Sequence, residues 1–166
     1  MDVYAHLAHG QKMLKNLDGW LAKAAEHAAA KHFDPNILAH ARLAPDAFPL
    51  ARQVGSACDA MKYLAAYATG RTAPSHPDTE TTFTEVRQRI ATVLEHLDGF
   101  RREDFVGASD RRAAPAWLRG GSLALDDYLL HVAIPNFHFH VTMAYAILRH
   151  NGVPLGKAEF LGALPL

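Results

Sequence analysis

The sequence has only one cysteine and no excess of positive or negative charge. Each of these two features excludes a class of protein. Its one cysteine, Cys58, cannot form an internal disulfide and has no CxxC neighbour, which excludes a disulfide framework and a thiolate zinc site. Lysine plus arginine and aspartate plus glutamate number 17 each, so the formal net charge is zero. Without a positive field, nucleic acid is not expected as a partner.

Targeting segments and uninterrupted apolar runs are also missing. The amino-terminal segment MDVYAHLAHGQKMLKN has no apolar stretch followed by a cleavage site of small residues, so we expect a cytoplasmic protein without a secretory signal. The most apolar segment, residues 129–148, is interrupted by histidines and Asn136 and contains Pro135. It therefore predicts a buried helix, and no membrane association is expected.

Apolar residues recurring at steps of three and four predict four helices. They cover about residues 3–31, 46–69, 82–98 and 126–149. Residues 71–81 are predicted to be a linker and residues 100–121 a long irregular loop. A chain of this length can bury roughly 70% of its unfolded surface. We therefore predict an all-α fold, one antiparallel four-helix-bundle domain over residues 1–166 with a long loop between helices three and four.

Three local signals refine these helices. Asp46 is predicted to cap the second helix, whose first turn accepts Pro49 and which Gly70 ends. Thr82 and a glutamate three residues later form the capping-box pattern for the third helix. In the fourth helix, Pro135 lacks an N–H and predicts a kink about one turn earlier, near His131.

Polar residues on the apolar face of the fourth helix predict a pocket. His140 lies at the centre of the apolar arc, and Asn136 lies one turn earlier on the same side. Each would cost roughly 1–3 kcal/mol if buried without a hydrogen-bond partner, so each needs a protein partner, water or a ligand. Gln53, at the edge of the second helix's apolar face, is the best partner. A polar network that only fixes helix register is the alternative.

Other polar residues are predicted to be outside this pocket. His131 and His138 fall on the polar stripe of the fourth helix, facing solvent or a subunit contact. Arg52, Asp59 and Lys62 are predicted to form a solvated charged face of the second helix, and Cys58 to be an inert core residue. The remaining histidines have no ligand spacing and are predicted to lie on the surface: His6, His9, His27, His32, His40, His76 and His96.

Several segments resemble a known family. They are APDAFPLARQV (44–54), ACDAMK (57–62), DTETTFTEVRQRI (78–90) and PNFHFHVTMAYAILRHNGVPLGKAEFLG (135–162). These segments are similar to an uncharacterised bacterial family grouped with the DinB/YfiT-like four-helix bundles, a superfamily of metal-dependent enzymes. The resemblance extends over nearly the whole chain. It implies a four-helix bundle that commonly dimerises, and in better-known members a site of three histidines.

The resemblance implies a pocket whose metal ligands have changed. His140 matches the second histidine of the HxxxH pair in helix four, while Asn136 and Gln53 stand where the other two histidines would be. Neutral amide oxygens are poor substitutes for imidazole toward zinc or nickel, so no metal or other cofactor is expected.

Two functions therefore remain open. The first is a protein, expected to be a homodimer, that binds a small molecule at Gln53, Asn136 and His140. The alternative is a metal-dependent thiol transferase or hydrolase that uses His140. No catalytic residue is identified, because GxGxxG, Walker, GxSxG and HExxH motifs are all absent. The sequence alone does not decide whether the protein is an enzyme.

Overall fold

The computed structural model describes residues 1–164, and it is largely helical. In chain order the helices are α1 (Val3–Ala30), α2 (Asn36–Ala39), α3 (Leu50–Thr69), α4 (Phe83–Asp98), α5 (Leu125–Tyr128), α6 (Ile134–His150) and α7 (Lys157–Leu161). The long helix α3 packs against α1, α4 and α6, and α1 also packs against α4 and α6. The four long helices therefore share one core, and the prediction of an all-α fold is confirmed.

The helix ends follow local chemistry in most places. The capping box at the start of α4 is confirmed, because the Thr82 hydroxyl accepts from the Glu85 N–H while the Glu85 carboxylate accepts from the Thr82 N–H. Gly70 ends α3 in the left-handed conformation, at φ 74°. The predicted start of this helix at Asp46 is wrong. Residues 44–47 form a separate turn and Pro49 is extended, so α3 begins only at Leu50.

The apolar helix α6 continues α5 through a π-helical turn at Leu129–Ala133. Ile134 donates its N–H to the carbonyl of Leu129, five residues earlier, directly before Pro135, which has no N–H to donate. The disruption expected near His131 thus takes the form of a π turn. Within residues 1–164, no helix is long and apolar enough to cross a membrane.

The segment between α4 and α5 is more ordered than the sequence predicts. It contains 3₁₀ turns at Arg102–Phe105, Ala108–Asp110 and Ala116–Leu118, and a two-stranded antiparallel sheet of β1 (Arg112–Ala113) and β2 (Leu123–Ala124). Two-residue strands are too short to show an alternating pattern, so periodicity misses them. The segment packs on α3 through β1 and the first two turns.

Cys58 lies in the middle of the core. Its side chain is fully buried, and burial raises the pKa of the thiol to about 12. A thiol with so high a pKa is not a nucleophile near neutral pH. The prediction of an inert core cysteine is therefore confirmed.

Candidate functional site

A groove of about 700 Å³ separates α3 from the α5–α6 helix, and we call it the α3–α6 groove. Its third wall is the irregular segment at residues 114–117. The lining residues include Arg52, Ser56, Asp59, Tyr63 and Tyr67 from α3, Tyr128, Val132, Asn136 and His140 from the α5–α6 helix, and Pro115 and Trp117. The volume lies in the range of small-molecule sites.

His140 lines this groove and contacts Gln53 as the sequence predicts, but Gln53 itself is buried and does not line the groove. The Nδ1 of His140 lies 2.7 Å from the Gln53 Oε1, which can only accept, so Nδ1 carries the proton. Gln53 in turn donates from Nε2 to the Phe48 carbonyl at 3.3 Å. Burial, followed by the charge of Arg52, lowers the pKa of His140. The ring is therefore neutral at pH 7, and its Nε2 is an unprotonated acceptor.

Two buried side chains direct unpaired polar atoms into the groove. His140 is 8% exposed and Tyr128 is 5% exposed. Neither the His140 Nε2 nor the Tyr128 hydroxyl has a hydrogen-bond partner among residues 1–164, and neither atom is fully enclosed. Burial and the neighbouring Tyr67 raise the pKa of Tyr128, so its hydroxyl stays protonated. These two side chains therefore offer the groove one acceptor and one donor.

Aromatic rings form much of the remaining wall. The Tyr67 and Tyr128 rings meet edge to face at 5.2 Å between centroids, and Tyr63 stacks on Tyr67 at 6.3 Å. Trp117 is 61% exposed at the rim. Sequence reasoning missed these rings. A signal was present, because Tyr63 and Tyr67 continue the i, i+4 spacing that begins at Asp59.

The prediction of a solvated charged face on α3 is wrong for Lys62, whose side chain is 1% exposed, whereas Arg52 keeps 38% exposure and pairs with Asp78. Asp59 accepts from Lys62 at 2.7 Å and from Arg89 at 2.8 Å, and both cationic side chains are nearly inaccessible. Arg89 also pairs with Glu80 at 3.0 Å. The linker at residues 71–81 folds over this layer, where Arg89 contacts the Pro77 carbonyl. The burial of Lys62 and Arg89 could not be predicted from the sequence, because the spacing of apolar residues does not show which distant segment covers a polar stripe.

Two histidines predicted to be on the surface belong to the same covered region. His76 Nδ1 lies 3.3 Å from the Lys62 Nζ, and the Nε2 of His96 is buried without a partner in residues 1–164. Burial lowers the pKa of both imidazoles, and Lys62 lowers it further. The surface prediction is therefore wrong for the ring of His96.

The other polar residues of the α5–α6 helix lie at or beyond the groove rim. His131 is exposed and His138 packs on His9 of α1, with 5.4 Å between ring centroids, so neither lines the groove. Asn136 lines the groove but is exposed, and its predicted burial is wrong. Phe137 and His140 fill the core-facing positions at this turn, leaving Asn136 at the opening.

The donors at this place do not fit a three-histidine metal site. His140 supplies one imidazole, while Gln53 and Asn136 supply amides. The Gln53 oxygen already accepts the His140 Nδ1–H. Among residues 1–164, no group of three or more His, Cys, Asp or Glu side chains is arranged to hold a metal ion.

The fold is that of a DinB-like helical protein, as the comparison with a solved structure shows. The chain is similar to the crystal structure of a DinB family member protein from Shewanella denitrificans, with 46% identity and a TM-score of 0.91. The match covers 96% of this chain and 91% of that chain. The chain belongs to the family described as a domain of unknown function, DUF1993, whose model matches residues 4–161. The resemblance found in the sequence is confirmed. The comparison with curated proteins gave no match.

Proposed function

We propose that this chain is a DinB-like antiparallel four-helix bundle that binds a small molecule in the α3–α6 groove, without a superfamily-type metal. Among the residues predicted to form the pocket, His140 and Asn136 line the groove as its polar anchors, and the buried Gln53, which does not line it, fixes the His140 ring. The observation that carries the proposal is the unpaired His140 Nε2, which opens onto the groove while the opposite ring nitrogen is fixed by Gln53.

Hydrogen bonding suits an occupant of the groove. The His140 Nε2 and the Tyr128 hydroxyl make no protein hydrogen bond in residues 1–164 and are not fully enclosed, so both are accessible to a ligand. A ligand that donates to the imidazole and accepts from the phenol makes two hydrogen bonds, each worth roughly 0.5–1.5 kcal/mol. The tyrosines and Trp117 supply flat apolar area for a ring or an alkyl group.

The donor set supports binding without metal. A metal-dependent transferase using His140 would need two further strong ligands, and the corresponding positions hold Gln53 and Asn136. Nothing in residues 1–164 favours that alternative. We also propose that the protein is a cytoplasmic homodimer of one domain, as expected from the sequence and the family.

A fragment screen followed by nuclear magnetic resonance tests the proposal. Small aromatic compounds with a hydrogen-bond donor are expected to shift groove resonances of the natural protein, and His140→Ala is expected to weaken that binding at least about tenfold, because a hydrogen bond to a buried group is lost. His131→Ala, outside the groove, is the matched control. Fragments that bind both variants equally would contradict the proposal.

Metal analysis of protein purified without a histidine tag tests the metal-free part separately. We expect no stoichiometric transition metal in the natural protein or in His140→Ala. About one metal ion per chain, lost in the variant, would overturn this part.

A further inference from the structure

We propose that a second concavity, formed where α3 ends beside β1, binds a phosphate or carboxylate group. We call it the arginine pocket. It has a volume of about 560 Å³ and is lined by Tyr63, Tyr67, Gly70, Arg71, Arg111 and Arg112, among others. This inference rests on the proposed function. The arginine pocket binds the anionic end of the same ligand whose apolar part lies in the α3–α6 groove.

The positive charge of the pocket is only partly compensated. Arg71 pairs with Asp104 at 2.5 Å. Arg112 donates to the Ser122 hydroxyl and carbonyl, each at 2.7 Å, and these acceptors are neutral. Arg111 has no side-chain hydrogen bond or ion pair within residues 1–164. Two of three guanidinium charges therefore lack a counter-ion, in a chain whose formal net charge is zero.

Backbone contacts hold the main chain at Arg111 and Arg112. Arg111 donates its N–H to the Ala108 carbonyl at 3.0 Å and accepts from the Leu125 N–H at 3.1 Å. Arg112 lies in β1 and pairs with Ala124 of β2. The arginines are thus presented from a hydrogen-bonded segment, which lowers the entropy lost when a ligand binds.

Gly70 lies against the Arg111 side chain at the edge of the pocket. A Cβ atom at position 70 would lie 2.6 Å from the Arg111 Nη1, so the guanidinium packs directly on the end of α3. Gly70 also has φ 74°, which favours glycine independently. The carboxyl end of α3 and the Arg111 side chain therefore lie in contact at Gly70.

Two tyrosines connect the arginine pocket to the α3–α6 groove. Tyr63 and Tyr67 line both cavities, with their rings stacked. A ring or chain lying on them can extend toward Arg111 and Arg112 from one end and toward His140 from the other. The planar fork of arginine binds oxyanions through paired N–H groups, which suits phosphate and carboxylate alike.

Calorimetric titration with inorganic phosphate, phenyl phosphate and benzoate tests the inference. We expect phosphate to bind, and we expect Arg111→Gln to weaken it at least about tenfold, because a charge-assisted hydrogen bond is removed. Arg111→Lys, which keeps the charge, should recover part of the affinity. Arg101→Gln is the matched exposed control and should leave the affinity unchanged.

The two ring-bearing probes test the connection and distinguish the oxyanion. Phenyl phosphate should bind more tightly than inorganic phosphate, and benzoate shows whether carboxylate is accepted. If phenyl phosphate gains nothing over phosphate, the shared ligand is overturned. If neither phosphate nor benzoate depends on Arg111, the pocket itself is overturned, and Arg111 acts only on the carboxyl end of α3. Neutral fragments that still bind at His140 would then leave the proposed function intact.

Discussion

The polar groups on the two sides of α3 differ in their surroundings. Toward α4, the carboxylate of Asp59 is held by Lys62 and Arg89, and Glu80 completes the layer. Toward α6, the His140 Nε2 and the Tyr128 hydroxyl lack partners in residues 1–164. Paired charges under a covering linker stabilise a structure, whereas unpaired groups in an open groove are available to a ligand. Exposure separates the two sides: the polar groups toward α4 are covered, even where the Arg89 Nε and the His96 Nε2 make no hydrogen bond in residues 1–164, whereas the groove groups are not fully enclosed.

The largest expected effect comes from breaking the paired side. Arg89→Ala leaves Glu80 without its cation and Asp59 with Lys62 alone, and the free energy of unfolding should fall by about 3 kcal/mol. Urea denaturation measures it. Arg87→Ala, which removes a half-exposed pair with Asp18, is the matched control and should cost less than about 1 kcal/mol. Equal effects of the two substitutions would show that the α4 side is not a buried network.

A smaller loss of stability is expected at the hydrogen bond between Gln53 of α3 and His140 of α6. Gln53→Leu removes the acceptor of the His140 Nδ1–H and should lower the free energy of unfolding by about 1–2 kcal/mol. The proton should also redistribute toward Nε2, converting the groove acceptor into a donor. Histidine ¹⁵N shifts report the tautomer. An unchanged tautomer would mean that Gln53 does not orient the ring.

The pH dependence of stability should reflect the buried histidines. Because burial lowers the pKa of His140 from its ordinary value of 6.5, the unfolded chain binds more protons than the folded one as the pH falls below that value. Stability is therefore complete above about pH 6.5 and is lost as the pH falls through the folded pKa. His140→Phe should flatten part of this slope between pH 7 and 5, measured by denaturation. A slope that this substitution does not change would contradict the assignment.

The smallest effect on stability is expected at Tyr128. Its hydroxyl bonds nothing within residues 1–164, so Tyr128→Phe should change the free energy of unfolding by less than about 0.5 kcal/mol. The same change should weaken fragments that bind in the groove. A loss of more than about 1 kcal/mol in thermal or urea unfolding would instead assign the hydroxyl a structural role.

The sequence predicts the parts of this molecule that local patterns control. Apolar spacing locates α1 and α4, the Thr82 box and Gly70 locate helix ends, and a helical wheel brings His140 inward toward Gln53. The sequence does not predict the exposure of a side chain when a segment distant in the chain covers it or leaves it open. Lys62 is buried where His76 of the 71–81 segment lies over it, and Asn136 is exposed where the groove opens beside it.

The aromatic side chains that line the groove were also only partly predictable from the sequence. Tyr63 and Tyr67 share one edge of α3, which the sequence indicates, but Tyr128 reaches Tyr67 only through the packing of α3 against the π turn and α6. The arginine pocket depends on a two-residue strand, too short for any periodicity to reveal. Sites built between elements therefore need the structure.

Histidine ¹⁵N spectroscopy at pH 7.5, with and without a chelator and then with a groove-binding fragment, tests whether His140 is a metal-free anchor for a ligand. We expect a neutral His140 protonated at Nδ1, an Nε2 resonance unaffected by the chelator, and a shift of that resonance when the fragment binds. An Nε2 resonance characteristic of metal coordination, abolished by the chelator, would contradict this expectation.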